Sequence, residues 1–417
     1  MRAKILVSAY ACNPLSSSKL HPGEDIVGWR LVVELSRFFD LHVISEMYNK
    51  DSVESFLARE KLNGVEFHFL ALPSYFQWLY KIGFGKRIYY YLWQIYAWRL
   101  AVKLHRKFIF SAAHHLTFGN YWIPSFIGAF LPVPFIWGSL GGGQRIPLSF
   151  LKEYGLARRL GEHCRQFAQW FGSNILIPAR ACLKRSKAIL VCNEETRSKI
   201  PAKYLHKVRF FPVNGIAEEE IISDDALSKE KNDKFLVLSA GRLVAFKGFS
   251  IAIRAFSLFA KGPVDAILEI VGDGPEALRL KELARSLNIE DKVRFTPWLN
   301  REELLLKMQS CAVFLFPSFR DGGGAVVVEA MGSAKPVIGL DLGGPGFHIK
   351  PEWGIKVEPK DPDYAIKEIS AGLNVLYNDL PLRLKMGEAA LKRAKEYYLW
   401  PRLGERLFEI YQEVLNS

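Results

Sequence analysis

Short apolar runs alternate with stretches of helical spacing along the whole chain. Ala3–Ser8, Leu41–Ser45, Val65–Leu70, Ile109–Ala113, Val133–Trp137 and Ala188–Cys192 form a first series of predicted strands. Phe235–Ala240, Ala266–Val271, Val293–Phe295, Val313–Phe316 and Pro336–Gly339 form a second. That alternation predicts an α/β protein with parallel sheets flanked by helices. The two series are separated by Ala217–Lys234, which is charged and nearly free of large apolar side chains and reads as an exposed linker. The pattern therefore predicts one α/β domain over 1–215, a linker over 216–234 and a second domain over 235–397. In the last segment Leu403, Leu407, Ile410, Tyr411 and Val414 share one helical face. This helix, within 398–417, must pack on one of the domains, and the first can take it back.

A length of 417 residues is too great for one ordinary core, in keeping with two domains. Five cysteines (Cys12, Cys164, Cys182, Cys192, Cys311) follow no metal-ligand or disulfide spacing, which favours a reducing, cytoplasmic compartment. The stretch after Arg2 and Lys4 is short and interrupted, and reads as the first buried strand rather than a signal peptide. No uninterrupted run of about eighteen apolar residues occurs. The net charge of +13 is unevenly placed, with no Asp or Glu from Phe67 to Lys152. Within that region Tyr75–Lys107 interleaves eleven aromatic residues, among them Trp78, Tyr89, Tyr90, Trp93 and Trp98, with basic ones. Such a segment suits the headgroups of an anionic membrane, predicting peripheral association with an inner leaflet. The other reading is a helix buried on one face with its basic residues in water. No nucleic-acid motif accompanies it, so nucleic acid is not an expected partner.

The chemistry concentrates in the second series. Gly241-Arg242-Leu243 follows one strand directly, and Lys247-Gly248 precedes a helix. Ligands of open parallel sheets bind beyond the carboxyl ends of the strands, so Arg242 and Lys247 project where a diphosphate can be held. Another strand–turn–helix carries Gly272-Asp273-Gly274-Pro275-Glu276. A third runs from Val313–Phe316 through Asp321-Gly322-Gly323-Gly324 to a helix bearing Glu329. Two carboxylates flanking a glycine turn suit a polyhydroxylated ligand, because they accept hydrogen bonds from hydroxyls. Glycine amides at a helix start suit a phosphate.

The order GRLVAFKG, IVGDGPE, VRF, LFPSFRDGGGAVVVEAMGSAKPVI, Gly343-Gly344 and GIKVEPKD closely resembles the retaining glycosyltransferases of family four. The resemblance implies the GT-B fold, two Rossmann-like domains facing across a cleft. It implies that Arg242 and Lys247 grip a donor diphosphate, that Glu329 binds the ribose, and that Asp321 meets the donor sugar. Gly23, Glu24, Gly272, Asp273, Gly274 and Gly322 join the implied donor site. The amides of Gly323 and Gly324 are expected to meet sugar hydroxyls or phosphate. Where the family usually has E-G-F-G, this chain has a shorter acid and lacks the phenylalanine, a change expected to leave space in the pocket.

The first domain resembles the family more loosely. Pro22-Gly23-Glu24-Asp25-Ile26-Val27-Gly28-Trp29 is similar to the loop that closes over the cleft, with Gly23 offering its amide at a helix start. The preceding SSSKLH insert suggests a mobile lid. The family often keeps a histidine where His114 and His115 fall, and one of the pair is expected in the site. The bland reading is a histidine that caps the strand or faces the core. The loop Gly138–Gly143 is either an acceptor-side turn or a structural one.

The resemblance implies a retaining, metal-independent hexosyl- or pentosyltransferase that needs no cofactor. It would move a sugar from a nucleotide-diphosphate donor to a glycan, lipid-linked or not, in surface polysaccharide assembly. Asp361-Pro362-Asp363 spells an acid pair, but Asp363 reads as a helix cap rather than a metal ligand. The alternatives are a nucleotide-sugar epimerase or hydrolase on the same fold, and a non-catalytic relative that binds membrane or nucleic acid.

Overall fold

The computed structural model describes residues 2–15, 22–82, 85–151, 154–223 and 234–417. The insert read as a lid, 16–21, and most of the charged part of the linker, 224–233, lie outside them.

The first domain is built on seven strands: β1 (Lys4–Ser8), β2 (Asp40–Glu46), β3 (Val65–Leu70), β4 (Ala112–His115), β5 (Phe135–Leu140), β6 (Ser186–Val191) and β7 (Val208–Phe210). Their order is β3-β2-β1-β4-β5-β6-β7, and every pair is parallel. The second is built on β8 (Phe235–Ala240), β9 (Ala266–Val271), β10 (Val293–Thr296), β11 (Val313–Phe316), β12 (Val337–Leu340) and β13 (Gly354–Val357). These also run parallel, in the order β10-β9-β8-β11-β12-β13. Both sheets reverse their order beside their first strand, at β1/β4 and β8/β11. A crevice opens at such a reversal because the two flanking connections leave in opposite directions.

Most predicted strands lie within a residue or so of the observed ones, since fully buried strands read as plain apolar runs. β7 and β13 are too short to stand out. β4 starts at Ala112, because Ile109 takes a left-handed turn at φ 53° and delays entry into the sheet. His114 and His115 are therefore inside the strand, paired with Val7 and Ser8 of β1.

The helix Trp400–Leu415 returns to the first domain, stacking Phe408 on Phe38 with centroids 4.4 Å apart. Where it crosses over, Ile216 and the chain near Leu399 exchange backbone hydrogen bonds of 2.9 and 3.2 Å. The start of the predicted linker is thus packed rather than exposed. Ile216, Ala217 and Ile222 are buried, and Glu220 pairs with Arg301. In the basic, aromatic helix Gly85–Phe108, Tyr89, Tyr90 and Trp93 are buried while Lys86, Arg87, Arg99, Lys103, Arg106 and Lys107 face solvent. The helix is thus buried on one face with its basic residues in water, while Tyr75 and Trp78 ahead of it are exposed.

Candidate functional site

The loops after β8 and β11 sit side by side at the reversal of the second sheet. They are tied by Phe319 N–H donating to Phe246 O at 2.8 Å and by the Ser318 hydroxyl donating to the same carbonyl at 3.2 Å. Gly248 makes the closeness achievable. It takes φ 74°, and a Cβ there would lie 1.9 Å from Pro317 O. The first loop carries Arg242, exposed and with no side-chain hydrogen bond or ion pair among the described residues, and Lys247. The second carries Asp321, which forms an ion pair with Lys247. Asp321 also accepts from Gly324 N–H at 2.7 Å. Burial alone would raise its pKa, but Lys247 and the amides of Gly324 and Gly323 outweigh burial and hold it below the ordinary aspartate value.

This corrects two expectations. The amides of Gly323 and Gly324 are turned onto Asp321 and not outward to a ligand. Nor does the missing phenylalanine leave space. A Cβ on Gly323 would lie 2.3 Å from Asn214 Nδ2 and 2.6 Å from Val213 Cγ2, so the first domain occupies that volume. Gly322 faces the first domain too, its carbonyl accepting from Asn193 Nδ2 at 2.9 Å.

Glu329, on the helix Ala325–Gly332, is nearly buried and pairs with Arg301 at 2.5 Å. Arg301 simultaneously holds Glu220, linking Glu329 to the interdomain crossing. Asp273 accepts from Trp298 N–H at 2.9 Å, which orders the turn. Gly272 and Gly274 pack against the backbone of Gly241 and Leu243, bringing this turn beside Arg242.

On the opposite wall, Glu24 accepts from Phe118 N–H at 3.2 Å at the β1/β4 reversal, and Gly23 is exposed beside it. The buried Cys192 thiol is pushed up to about 12, by burial first and then by Glu24, Asp321 and Glu195. Those three carboxylates therefore come within electrostatic range of one point at the domain junction.

Neither histidine enters that space. His114 is fully buried, with Nε2 donating to Gly138 O at 2.5 Å and Nδ1 accepting from Tyr411 of the returning helix at 2.8 Å. Burial, opposed by the Gly138 contact, lowers its pKa to about 4. His115 turns to the other face, where Nε2 meets the Tyr90 hydroxyl at 3.0 Å. Burial and the neighbouring His114 lower it to about 3. Register explains this: both residues lie within a central strand, whose side chains point into one core or the other. Ser139, within β5, bonds to Phe211 O at 2.6 Å, and Gly142 O accepts from Gln169 at 2.6 Å, so the Gly138–Gly143 loop is structural. The cap of the helix Pro362–Asn378 is Asp361, which accepts from Tyr364 N–H at 2.8 Å, in place of Asp363.

The sequence reading passed over several groups. Glu195, after β6, accepts from Gly343 N–H across the domains at 2.7 Å, and its pKa rises to about 7. Burial raises it, the Gly343 bond opposes, and Asp341 adds to the rise. His348 donates from Nε2 to Gly323 O at 2.7 Å and accepts from Tyr398 at 2.6 Å, bracing the glycine turn. Arg320 reaches Glu162 of the first domain at 2.8 Å, and Arg158 reaches Glu276 at 2.6 Å. Between these bridges lies a cavity of about 490 Å³ lined by Arg87, Arg158, Arg165 and Arg320. Such partners, far apart in sequence, leave no local signal. One feature did leave one. The helix Leu156–Asn174 exposes Leu156, Leu160, Phe167, Trp170 and Phe171, which at i, i+4, i+11, i+14 and i+15 share one helical face.

The two-sheet architecture is that of the GT-B glycosyltransferases. Among solved structures, sucrose-phosphate synthase from Thermosynechococcus elongatus superposes with TM-score 0.64 over 100% of both chains at 16% identity. HepE from Anabaena, solved with UDP, gives 0.63 over 98% of this chain and 99% of its own at 14% identity. WaaG, a glycosyltransferase involved in lipopolysaccharide biosynthesis, gives 0.59 over 97% and 99% at 15% identity. Residues 221–393, the bulk of the second domain, match the family model described as glycosyl transferases group 1. An uncharacterized glycosyltransferase of Haemophilus influenzae is 29% identical over 55% of this chain and 62% of its own length. Alpha-D-kanosaminyltransferase of Streptomyces kanamyceticus is 24% identical over 56% and 62%. The alignments thus span somewhat less than two thirds of these relatives.

Proposed function

We propose that the protein is a retaining glycosyltransferase that moves a sugar from a nucleotide diphosphate to a glycan acceptor. The observation that carries this reading is the placement of Arg242 and Lys247 beside Asp321 on adjacent loops at the sheet reversal. Arg242 and Lys247 stabilise the departing diphosphate, Glu329 receives the ribose, and the donor phosphate takes the acceptor proton. The protein then supplies position and charge rather than a nucleophile or a metal. HepE was solved with UDP, which makes uridine donors the first to try. The test is a thermal-shift screen against UDP-, GDP- and ADP-sugars. A donor at 100-fold excess over its Kd stabilises the folded form by about 2.7 kcal/mol. No shift with any of them sinks the proposal, and donor consumed without acceptor identifies a hydrolase or epimerase instead.

The acceptor is lipid-linked in this reading, presented at the inner face of a membrane in surface polysaccharide assembly. No helix among the described residues is long and apolar enough to cross a membrane. The exposed stripe of Leu156–Asn174 supplies apolar anchors for a membrane surface. It borders the arginine-lined cavity at the cleft. Flotation on anionic vesicles should fall sharply in Phe167→Ser/Phe171→Ser, and equal failure on anionic and neutral vesicles would remove membrane contact.

A further inference from the structure

A cluster unrelated to the cleft lies at the far edge of the first sheet. His42 on β2 stands directly opposite Glu66 on the edge strand β3, and His68 lies two residues further along β3. That alternation puts all three side chains on one face of the sheet. His42 Nδ1 and His68 Nε2 approach to 3.1 Å, with the rings stacked at an interplanar angle of 8°. Glu66 reaches His42 Nδ1 at 3.5 Å through one oxygen and His68 Nε2 at 3.7 Å through the other.

We propose that His42, Glu66 and His68 form a binding site for a divalent transition-metal ion of the zinc class. Zinc takes imidazole nitrogen and carboxylate oxygen at about 2.0–2.2 Å in a tetrahedron, which separates neighbouring ligand atoms by about 3.3–3.5 Å. The two nitrogens, 3.1 Å apart, fit one edge of that tetrahedron, and Glu66 lies beside it with one oxygen 3.5 Å from His42 Nδ1 and the other 3.7 Å from His68 Nε2. Bringing one carboxylate oxygen to both rings needs only a rotation of Glu66, whose side chain is 55% exposed and free to turn. The histidines are the fixed part. His42 is held between the rings of Phe108 and Phe110 at 4.1 and 5.2 Å, so its orientation is set before any ion arrives.

Two imidazolium N–H groups cannot face each other at this distance, so at most one of the two nitrogens carries a proton. Coordination requires that proton to move to the other nitrogen of its own ring, which releases nothing and changes no charge. The carboxylate then leaves the ion with one positive charge, and water completes the fourth position. Lys4 and Lys107 near the cluster oppose a cation, which favours a site of micromolar rather than picomolar affinity. A bound ion would pin β3, an edge strand, to β2.

The reading does not depend on sugar transfer. The tag-free, metal-stripped full chain would be titrated with zinc chloride calorimetrically, and its unfolding temperature followed with and without zinc. The expected result is one ion per chain and a rise of several degrees in unfolding temperature. Affinity should be at least tenfold weaker in both His68→Ala and Glu66→Gln, which touch the least buried ligands. The absence of saturable binding overturns the proposal, as does zinc affinity that either variant leaves unchanged.

Discussion

Replacing Lys247 by alanine separates two roles that the structure gives one side chain. Lys247 and Asp321 are 20% and 16% exposed, so the pair lies between a surface bridge and a buried one. A surface pair contributes about 0–1 kcal/mol, and breaking a buried one costs about 3–5. Asp321 keeps its hydrogen bond from Gly324, which softens the loss. The expected destabilisation is about 2–3 kcal/mol, or about 4–12 °C for a cooperative unit the size of the second domain. The chemical loss is separate. Removing one charge-stabilising donor from a transition state costs about 10²–10³ in turnover. Sugar preference should change little, since Lys247 meets the diphosphate in the proposed mode.

The double variant Lys247→Ala/Asp321→Ala tells the roles apart. It leaves no uncompensated carboxylate, so stability should return by about 2 kcal/mol while turnover stays low. The pH dependence has a definite sign. Asp321, held below the ordinary aspartate value in the folded protein, contributes stability that is present above that ordinary value and lost as pH falls through its folded one. In Lys247→Ala burial is opposed by the amides alone, Asp321 takes up its proton earlier, and the gap between the two proteins closes on acidification. Urea denaturation at pH 7 and pH 4, with initial rates on the identified donor, measures both. Unchanged stability would show that the ion pair does not form in solution. Unchanged turnover would remove Lys247 from the leaving-group role.

Other substitutions probe the domain contact. Gly323→Phe restores the family's common residue but drives its Cβ to within 2.3 Å of Asn214, so small-angle scattering should show a more open molecule and activity should drop. An unchanged scattering profile would mean that Asn214 simply swings aside. Glu195 has a folded pKa raised to about 7, so its contribution to stability is present below about 4.5 and lost as pH rises to 7. Glu195→Gln should flatten the unfolding temperature across that window, and an unaltered slope would assign it elsewhere. His114→Ala should cost about 2–4 kcal/mol by stranding the Tyr411 hydroxyl and the Gly138 carbonyl, with turnover per folded molecule within about twofold. A large loss in turnover without loss of stability would return His114 to the site.

What the sequence made legible, and what it did not, divides along a physical line. Strands buried on both faces write themselves as apolar runs, and loops at strand ends carry their glycines and charges within a few residues. Hence both sheets and the positions of Arg242, Lys247, Asp321 and Glu329 are readable. The histidines were misplaced because a shift of two residues in where β4 ends moves a side chain from the rim of a sheet into its core. Glycine at 323 looked like a vacancy because its occupant, Val213–Asn214, comes from the other domain more than a hundred residues away. Both errors concern groups that other parts of the chain complete. The same dependence runs through the site itself. Glu329 is held by Arg301, Arg301 by Glu220, and Glu220 adjoins the crossing where Ile216 meets Leu399. In the proposed mode, a donor ribose that drew Glu329 away from Arg301 would therefore disturb the Arg301–Glu220 pair beside that crossing.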